Sequence, residues 1–448
     1  MRPRTRNCWN WLGILGCCFF LGFSLNAAEA ARPPNVLLIL ADDLGYECLS
    51  ANGSLSYKTP NLDRLAAEGV RFEQCYAQPL CTPSRVQMLT GLYNKRNYIR
   101  FGQLDPDAKT IAQSLRSGGY KTAIAGKWQL AGGFEAPGHF GFDEYCLWQL
   151  TLRKSRYANP LLEINGEVKQ YAEGEYGPDV DSDFLCRFME QNRDQPFFAF
   201  YPMILTHSPY VPTPDSADWD PQDPGAEKTQ GDKKHFGDMV EYMDKIVGKL
   251  VGKLDDLKLR NETIILFTGD NGTGRGVPTR TTTGEIIGGK GTTTLAGMHV
   301  PLIANCPGRI PAGRVLQDLV DFTDFFPTLL ELTQTQPPQT VALDGQSFAP
   351  QLRGEPGKPR ELIYCWYSRG GGPQGAEFTQ DHRYKLYVDG RMFDLQADPG
   401  EQSPLAGDRI TGELSPVREK LQQGLDRLEG ARPKHFDREL PSNRVPTE

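Results

Sequence analysis

Asn35-Val-Leu-Leu-Ile-Leu-Ala-Asp-Asp43 is the stretch that decides the fold. Six apolar residues follow Asn35 without the polar alternation of a half-exposed strand, and the run stops on two carboxylates. It reads as a central parallel strand covered on both faces. Asp42 and Asp43 then stand at its C-terminal end, where open α/β sheets bind ligands. Pro196-Phe-Phe-Ala-Phe-Tyr201 and Thr263-Ile-Ile-Leu-Phe-Thr268 have the same texture, and the second ends in the acidic turn Gly269-Asp270-Asn271-Gly272. Lys121-Thr-Ala-Ile-Ala125 leads as a strand into Gly126-Lys127-Trp128, and His299 to Ala304 begins another. Caps and apolar spacing predict helices over 60–67, 84–90, 108–115, 236–257 and 321–332, with Cys81 at or just before the start of the second. The order predicts an α/β fold, a mostly parallel sheet sandwiched by helices.

Near Pro337-Pro338 the texture changes. Residues 361–366, 384–388 and 392–395 read as short strands of a small antiparallel sheet, with a closing helix over 414–428. The expected organisation is a leader over 1–30, a large site-bearing domain over 31–340, and a C-terminal α+β subdomain and tail over 341–448. The leader rests on Arg2, Arg4 and Arg6, the apolar run Trp9 to Leu25, and the small-residue site Ala28-Glu29-Ala30, the pattern of a secretory signal peptide. A retained anchor is the other reading of that run. Ile14-Leu15-Gly16-Cys17 weakly approximates a lipoprotein cleavage site, so tethering through Cys17 stays open beside release. No later stretch has the apolar length to span a bilayer. The expectation is an exported protein, periplasmic or extracellular.

The 448 residues carry a formal charge of -7, which repels nucleic acid and acidic membrane faces. The 47 glycines and 34 prolines imply many irregular loops, and no internal repeat is present. Beyond the leader stand Cys48, Cys75, Cys81, Cys146, Cys186, Cys306 and Cys365, without a C-x-x-C pattern. An exported chain can pair such cysteines as disulfides, but an odd number leaves one over.

Asp42, Asp43, Asp270 and Asn271 follow two predicted central strands and together suit a hard divalent cation. Read singly, Asp-Asp and Asp-Asn-Gly are also ordinary turn residues. Lys127, His207 and Lys290 stand at the ends or loops of other elements, and Arg85 lies one helical turn from Cys81. Such cations would bind an anionic ester and stabilise developing negative charge. Gly288-Gly289-Lys290-Gly291 lacks the spacing of a phosphate-binding P-loop.

The joint pattern is specific. Ala41-Asp-Asp-Leu-Gly45, Cys81-Thr-Pro-Ser-Arg85 followed by Leu89-Thr-Gly91, Gly126-Lys127-Trp128, Thr206-His207-x-Pro209, Gly269 to Gly272 and Gly289-Lys-Gly-Thr-Thr293 occur in one order. In this the chain resembles the type I sulfatase family of the alkaline phosphatase-like superfamily. The resemblance implies that a formylglycine-generating maturation enzyme converts Cys81 to formylglycine, with Pro83 and Arg85 in its recognition signal. It implies one divalent cation, calcium, held by Asp42, Asp43, modified residue 81, Asp270 and Asn271. Arg85 and Lys127 hold the modified residue, Lys290 contacts sulfate, and His207 contacts sulfate and assists the leaving oxygen. The hydrated aldehyde is the nucleophile, and exported members resemble enzymes acting on sulfated saccharides.

Two departures stand out. The family continues Gly-Lys-Trp-His-Leu-Gly where this chain has Gly126-Lys-Trp-Gln129-Leu-Ala131, and glutamine cannot take a proton near neutral pH. Where the family has Glu-Gly-Gly-x-Arg, this chain has Leu295-Ala-Gly-Met-His299. Loops over 152–179, 209–234 and 368–378 are expected to line the mouth, with Trp219, Trp366, Tyr367 and Arg369 gripping a sugar. Two alternatives remain at this point: a phosphate or phosphonate ester hydrolase of the same superfamily, or a catalytically impaired sulfatase-like binding protein.

Overall fold

The computed structural model describes residues 1, 3, 32–152, 155–223, 231–336, 342–407 and 410–437. The chain forms two compact units, Met1–Arg32 and Pro33–Glu448, and the leader expected over 1–30 lies almost wholly outside the described residues. In the second unit the strands are β1 (Asn35–Ala41), β2 (Val70–Tyr76), β3 (Lys121–Lys127), β4 (Glu144–Trp148), β5 (Leu161–Ile164), β6 (Glu167–Gln170), β7 (Phe197–Pro202) and β8 (Thr263–Gly269). They continue with β9 (Pro278–Thr281), β10 (Gly284–Ile287), β11 (His299–Asn305), β12 (Arg314–Asp321), β13 (Ile363–Tyr367), β14 (Ala376–Gln380), β15 (Tyr384–Tyr387) and β16 (Met392–Asp394).

Ten of these form one sheet in the order β12-β2-β11-β8-β1-β7-β3-β4-β5-β6. From β8 to β4 the strands run parallel, and β11, β5 and β6 are set antiparallel to their neighbours. β1 lies in the middle. Its Leu37, Ile39 and Ala41 enter one apolar core, with the helices Pro60–Ala67, Gly177–Gln191 and Phe236–Asp256. Its Val36, Leu38 and Leu40 enter a second core on the other face, with the helices Cys81–Thr90, Ile111–Ser117 and Phe325–Thr333. Burial on both faces is why the run is apolar throughout.

β13 to β16 form a separate antiparallel sheet. One face packs Ile363, Cys365, Phe378 and Phe393 with Tyr76, Met298 and Leu319. The other packs Trp366, Leu386 and Met392 with Leu421 and Leu425 of the helix Leu414–Asp426.

Several boundaries differ from the sequence reading for local reasons. The second helix starts at Cys81, because Pro83 falls in the first turn, where a missing N–H costs nothing. The helix expected over 108–115 starts at Ile111, since Thr110 and Gln113 make a capping box. Asp321 ends β12 and caps a short 3-10 turn, so the α-helix expected from 321 begins at Phe325. β2 and β12 are additions to the expected strands: Arg71, Glu73, Gln317 and Asp318 break their apolar pattern. The seven cysteines after the leader are all unpaired. No helix among the described residues is long and apolar enough to cross a membrane.

Candidate active site

The site is assembled at the C-terminal ends of β1, β8, β7 and β3. Ala41 pairs with Gly269, and the N–H of Asp270 donates to Ala41 O at 2.8 Å, so Asp42 and Asp270 leave adjacent strands side by side. Beyond β7, the N–H of Asp42 donates to Leu205 O at 2.8 Å and that of Thr206 to Asp42 O at 2.7 Å, which ties the His207 loop to the same strand end. On β3, Gly126 has φ +107°, and a Cβ there would lie 2.2 Å from the Pro202 carbonyl oxygen. Only glycine lets β3 run this close to β7 and turn Lys127 inward.

Asp42, Asp43, Cys81, Asp270 and Asn271 are each at most 1% exposed. Ligand atoms of Asp42, Cys81 and Asp270 lie within 4.8 Å of one another, as do those of Asp42, Asp43 and His207. Lys127 Nζ is 2.6 Å from Asp42 Oδ2 and 3.6 Å from Cys81 Sγ. Arg85 donates from Nε and Nη2 to Asp270 Oδ2 at 3.1 and 2.9 Å, and from Nη1 to Lys127 O at 2.9 Å. Lys290 Nζ is 2.8 Å from Asp43 Oδ2.

Burial pushes the Asp270 carboxyl up to about 7, with the charge of Asp42 acting the same way. Burial also raises Asp43, against the pull of Lys290. At Asp42 burial is outweighed by Lys127, His207 and Arg85, and its carboxyl lies well below the usual range. The Cys81 thiol is raised by burial despite Lys127, so it is not an activated thiolate. His207 is held well below its ordinary value by burial, then by Lys290 and Lys127.

The donor set fits a hard divalent cation. Asp42 Oδ1 and Asn271 Oδ1 are buried without a hydrogen-bond partner, while Asn271 Nδ2 is committed to Asp43 Oδ1 and Gly272 O at 2.9 Å each. Orphaned oxygens beside carboxylates that burial alone disfavours are what a cation would satisfy.

Gln129, at φ +59°, accepts the Thr82 hydroxyl on Oε1 at 3.1 Å, and Thr82 Oγ1 in turn accepts the Gly102 N–H at 3.3 Å. The other departure is filled by aromatic packing. His299 stacks on Tyr46 with centroids 4.2 Å apart, lies 5.3 Å from Tyr76, and makes a 2.8 Å contact from Nε2 to Glu73 O. Burial pushes its imidazole down to about 4.

Of the mouth residues, Trp366 is buried with the Arg432 guanidinium 4.6 Å from its ring centroid, so that face is not free to stack on a sugar. Trp219 is half-buried and packs edge-on against Tyr176. Tyr367 is partly buried and Arg369 exposed, with the Arg369 carbonyl accepting the Tyr98 hydroxyl at 3.0 Å. The segment 152–179, expected as a loop, contains the hairpin β5–β6, and 368–378 runs into β14.

Two arginines at the site carry almost no signal in the sequence. Arg156 is buried beside His207, its Nη2 3.1 Å from Nδ1. Arg275 is exposed, and its Nη2 would lie 3.5 Å from a Cβ on Gly291, next to Lys290. Their one mark is position, Arg156 in a segment already assigned to the mouth and Arg275 four residues after Asn271.

Comparison with known proteins agrees with this geometry. A sulfatase family model matches residues 34–335, and one for the C-terminal part of N-sulphoglucosamine sulphohydrolase matches 294–431. N-acetylgalactosamine-6-sulfatase of Canis lupus familiaris is 32% identical over 89% of this chain and 85% of its own length. Arylsulfatase A of Homo sapiens is 31% identical over 88% of this chain and 87% of its own. The fold is shared with a protein solved with its substrate D-glucosamine-2-N,6-O-disulfate, at TM-score 0.70 and 20% identity, covering 91% of this chain and all of that one. It is also shared with the phosphonate monoester hydrolase of Agrobacterium radiobacter, at TM-score 0.65 and 21% identity, covering 89% of this chain and 96% of that one. With the family matched over most of its length and the acidic strand ends and their cations gathered around Cys81, the chain belongs to the type I sulfatases, sulfatase-type hydrolases of the alkaline phosphatase-like superfamily.

Proposed function

We propose that this protein hydrolyses sulfate esters on an anionic saccharide, using formylglycine formed from Cys81. The observation that carries the reading is the setting of Cys81. A buried thiol with a raised pKa is a poor nucleophile, yet it sits 3.6 Å from Lys127 and beside the carboxylates of Asp42 and Asp270. Such a residue makes chemical sense as the precursor of an aldehyde supplied by a maturation enzyme. Hydrated, the aldehyde presents two hydroxyls. One oxygen attacks sulfur, the bond from sulfur to the ester oxygen breaks, and the departing oxygen takes up a proton. The second hydroxyl then loses its proton, its oxygen closes to C=O, and sulfate is expelled. Serine at this position would lack that second hydroxyl and would leave a stable sulfate ester.

Asp42, Asp43, Asp270, Asn271 and modified residue 81 would hold calcium, which supplies Lewis-acid charge stabilisation and favours the hydroxyl's ionised form. Arg85 pulls Asp270 toward its charged form against burial, and orders the Lys127 carbonyl. Lys127 and Lys290 bring ammonium groups to the anion. Fixed cations on Arg85, Lys127, Arg156 and Lys290 outnumber the carboxylates even before a metal is counted, which favours an anionic substrate. Arg275, exposed next to Lys290 and without an ion pair among the described residues, favours a saccharide carrying a second anionic group, with the exposed Arg369 as a further candidate for gripping it.

We further propose export through the 1–30 leader, to the periplasm or the cell exterior, and a functional division between 31–340 and 341–448. The test is peptide mass analysis of protein made with an active maturation enzyme, joined to assays on sulfated saccharides and phosphate esters with and without calcium. The expected outcome is the thiol-to-aldehyde mass decrease at residue 81 and calcium-dependent sulfate release. Thiol alone at residue 81 would overturn the mechanism.

A further inference from the structure

Lys290 stands on a tight turn. The Thr292 N–H and hydroxyl both donate to Gly289 O, at 2.9 and 2.7 Å, and close that turn around it. Outside the turn, the Lys290 N–H donates to Thr273 O at 3.0 Å and the Gly291 N–H to Pro79 O at 2.8 Å, just ahead of Cys81. Beyond it, Thr293 is held from the C-terminal sheet. Its carbonyl oxygen accepts from the Lys385 ammonium at 2.5 Å, and its hydroxyl meets the Tyr387 hydroxyl at 2.8 Å. Both of these β15 side chains end on one carboxylate, Lys385 on Glu401 Oε1 at 2.7 Å and Tyr387 on Oε2 at 2.6 Å. The Lys385 side chain is 1% exposed and that of Glu401 6%. Lys385 Nζ also lies 3.9 Å from the Phe378 ring centroid, so a carbonyl, a carboxylate and an aromatic face surround the buried ammonium.

We propose that Lys385, Tyr387 and Glu401 are positioning residues: they clamp Thr293 from the C-terminal sheet and so hold Lys290 where the anionic group of the substrate binds. The inference rests on the sulfatase reading for that anion, but not for the clamp. A buried ion pair is weak evidence for stability, since apolar residues of similar volume often do as well or better in its place. What apolar residues could not do is grip the carbonyl and the hydroxyl of a loop. The direction of the bonds is fixed as well. A carboxylate only accepts, so the Tyr387 proton goes to Glu401 and the Tyr387 oxygen is left to accept the Thr293 hydroxyl. The Lys290 loop is thereby joined to the small sheet at two atoms of one residue, and Glu401 couples the two joints into one network. A loop carrying a lone ammonium gains from such a brace, because an oriented donor binds an anion without first losing the freedom of its backbone.

Backbone hydrogen exchange reads the clamp without any need for activity. Lys385→Met made together with Glu401→Gln removes the ammonium without stranding a buried carboxylate, and the new amide can still accept from Tyr387. Exchange in peptides covering 289–297 is expected to rise at least about tenfold, the range of losing a bond to a charged group, with peptides of β1 and β8 unchanged. No rise in 289–297, or an equal rise in β1, would overturn the proposal. Tyr387→Phe is expected to give about a fivefold rise in the same segment, and adding Thr293→Val to it should change nothing further. Additive rises would mean that the two hydroxyls do not act through one another. Thr293→Ser keeps the hydroxyl and should match the wild type.

Binding of inorganic sulfate provides a second arm, measured by calorimetry on the mature full chain. The Lys385→Met and Glu401→Gln pair is expected to weaken it at least about threefold, as for one misplaced hydrogen bond, and to raise KM for a sulfate ester more than it lowers kcat. Thr293→Ser should bind sulfate as the wild type does. A loosened loop with unchanged sulfate affinity would show that the clamp serves folding alone, and would overturn the proposal. A wild type that neither binds nor releases sulfate would instead sink the sulfatase reading, and the exchange result would still decide whether the clamp exists.

Discussion

The floor and the wall of the site are built differently. The floor consists of Asp42, Asp43, Cys81, Arg85, Lys127, Asp270 and Asn271, carried on three strand ends and one buried helix. Its positions follow from register, and its charges are cross-linked by direct bonds such as Arg85 to Asp270 and Lys127 to Asp42. The wall consists of His207, Lys290, Arg156 and the exposed Arg275 and Arg369, carried on loops and steered from distant segments. The Lys290 loop is held from the C-terminal sheet: the buried Lys385 donates to Thr293 O at 2.5 Å and pairs with Glu401 at 2.7 Å, and the Tyr387 hydroxyl meets Thr293 Oγ1 at 2.8 Å. A floor made of register cannot be adjusted without disturbing the fold, whereas a wall made of loops can change its chemistry one residue at a time.

The hardest blow to that contrast is a matched pair of substitutions. Arg85→Met removes both bonds to Asp270 and the bond to Lys127 O, leaving a buried carboxylate uncompensated. We expect a loss of about 3–5 kcal/mol in stability, together with activity. Arg275→Ala, on the exposed rim, should leave stability within about 0.5 kcal/mol and raise KM for a substrate with two anionic groups. Urea unfolding and steady-state kinetics on both variants decide the matter, and equal stability losses would erase the distinction between floor and wall.

The same division governs what the sequence makes legible. The run from Val36 to Ala41 announces its own burial and direction, so Asp42 and Asp43 can be placed from the order of residues alone. Asp270 and Asn271 follow by the same logic. β2 and β12 stay hidden because Arg71, Glu73, Gln317 and Asp318 interrupt their apolar pattern, and β11 reads alike whether parallel or antiparallel. Trp366 reads as a sugar platform because an aromatic residue after a strand carries no mark of which face is covered, and it is Arg432, far along the chain, that covers it. Arg156 escapes for the matching reason: its partner lies 51 residues away, and nothing in Ser155-Arg156-Tyr157 points to it.

A smaller effect is expected behind the wall, at His299, where the family carries arginine. Its ring is stacked on Tyr46 and held neutral, down to about 4 against an ordinary value near 6.5. Because the folded pKa is the lower one, the unfolded chain takes up this proton first as pH falls. Stability is therefore intact above about 6.5, falls between 6.5 and 4, and levels off below. By pH 5 the loss is about 2 kcal/mol, as an upper figure for a partly covered ring. Urea unfolding of wild type and His299→Gln at pH 7 and pH 5 isolates it as the difference between their pH dependences. A wild type no more pH-sensitive than the variant would show that the aromatic stack tolerates the charged ring.

Gln129 sets the finest test, because it stands directly beyond the end of β3 and yet departs from the family. Its Oε1 is occupied by the Thr82 hydroxyl, which is anchored by the Gly102 N–H, so the side chain is held in one orientation. A histidine in its place could accept the same hydroxyl on one ring nitrogen and direct the other into the site. That would restore a proton carrier without disturbing the floor. Gln129→His is expected to raise kcat about tenfold, below the roughly hundredfold or more usual for general acid–base catalysis because glutamine already supplies a hydrogen bond. The rise should come with a new limb in the pH profile near the ordinary imidazole value, which glutamine cannot produce. An unchanged rate and profile would mean that the proton role has passed to another group, and that even a residue anchored at a strand end is replaceable when its neighbours share the work.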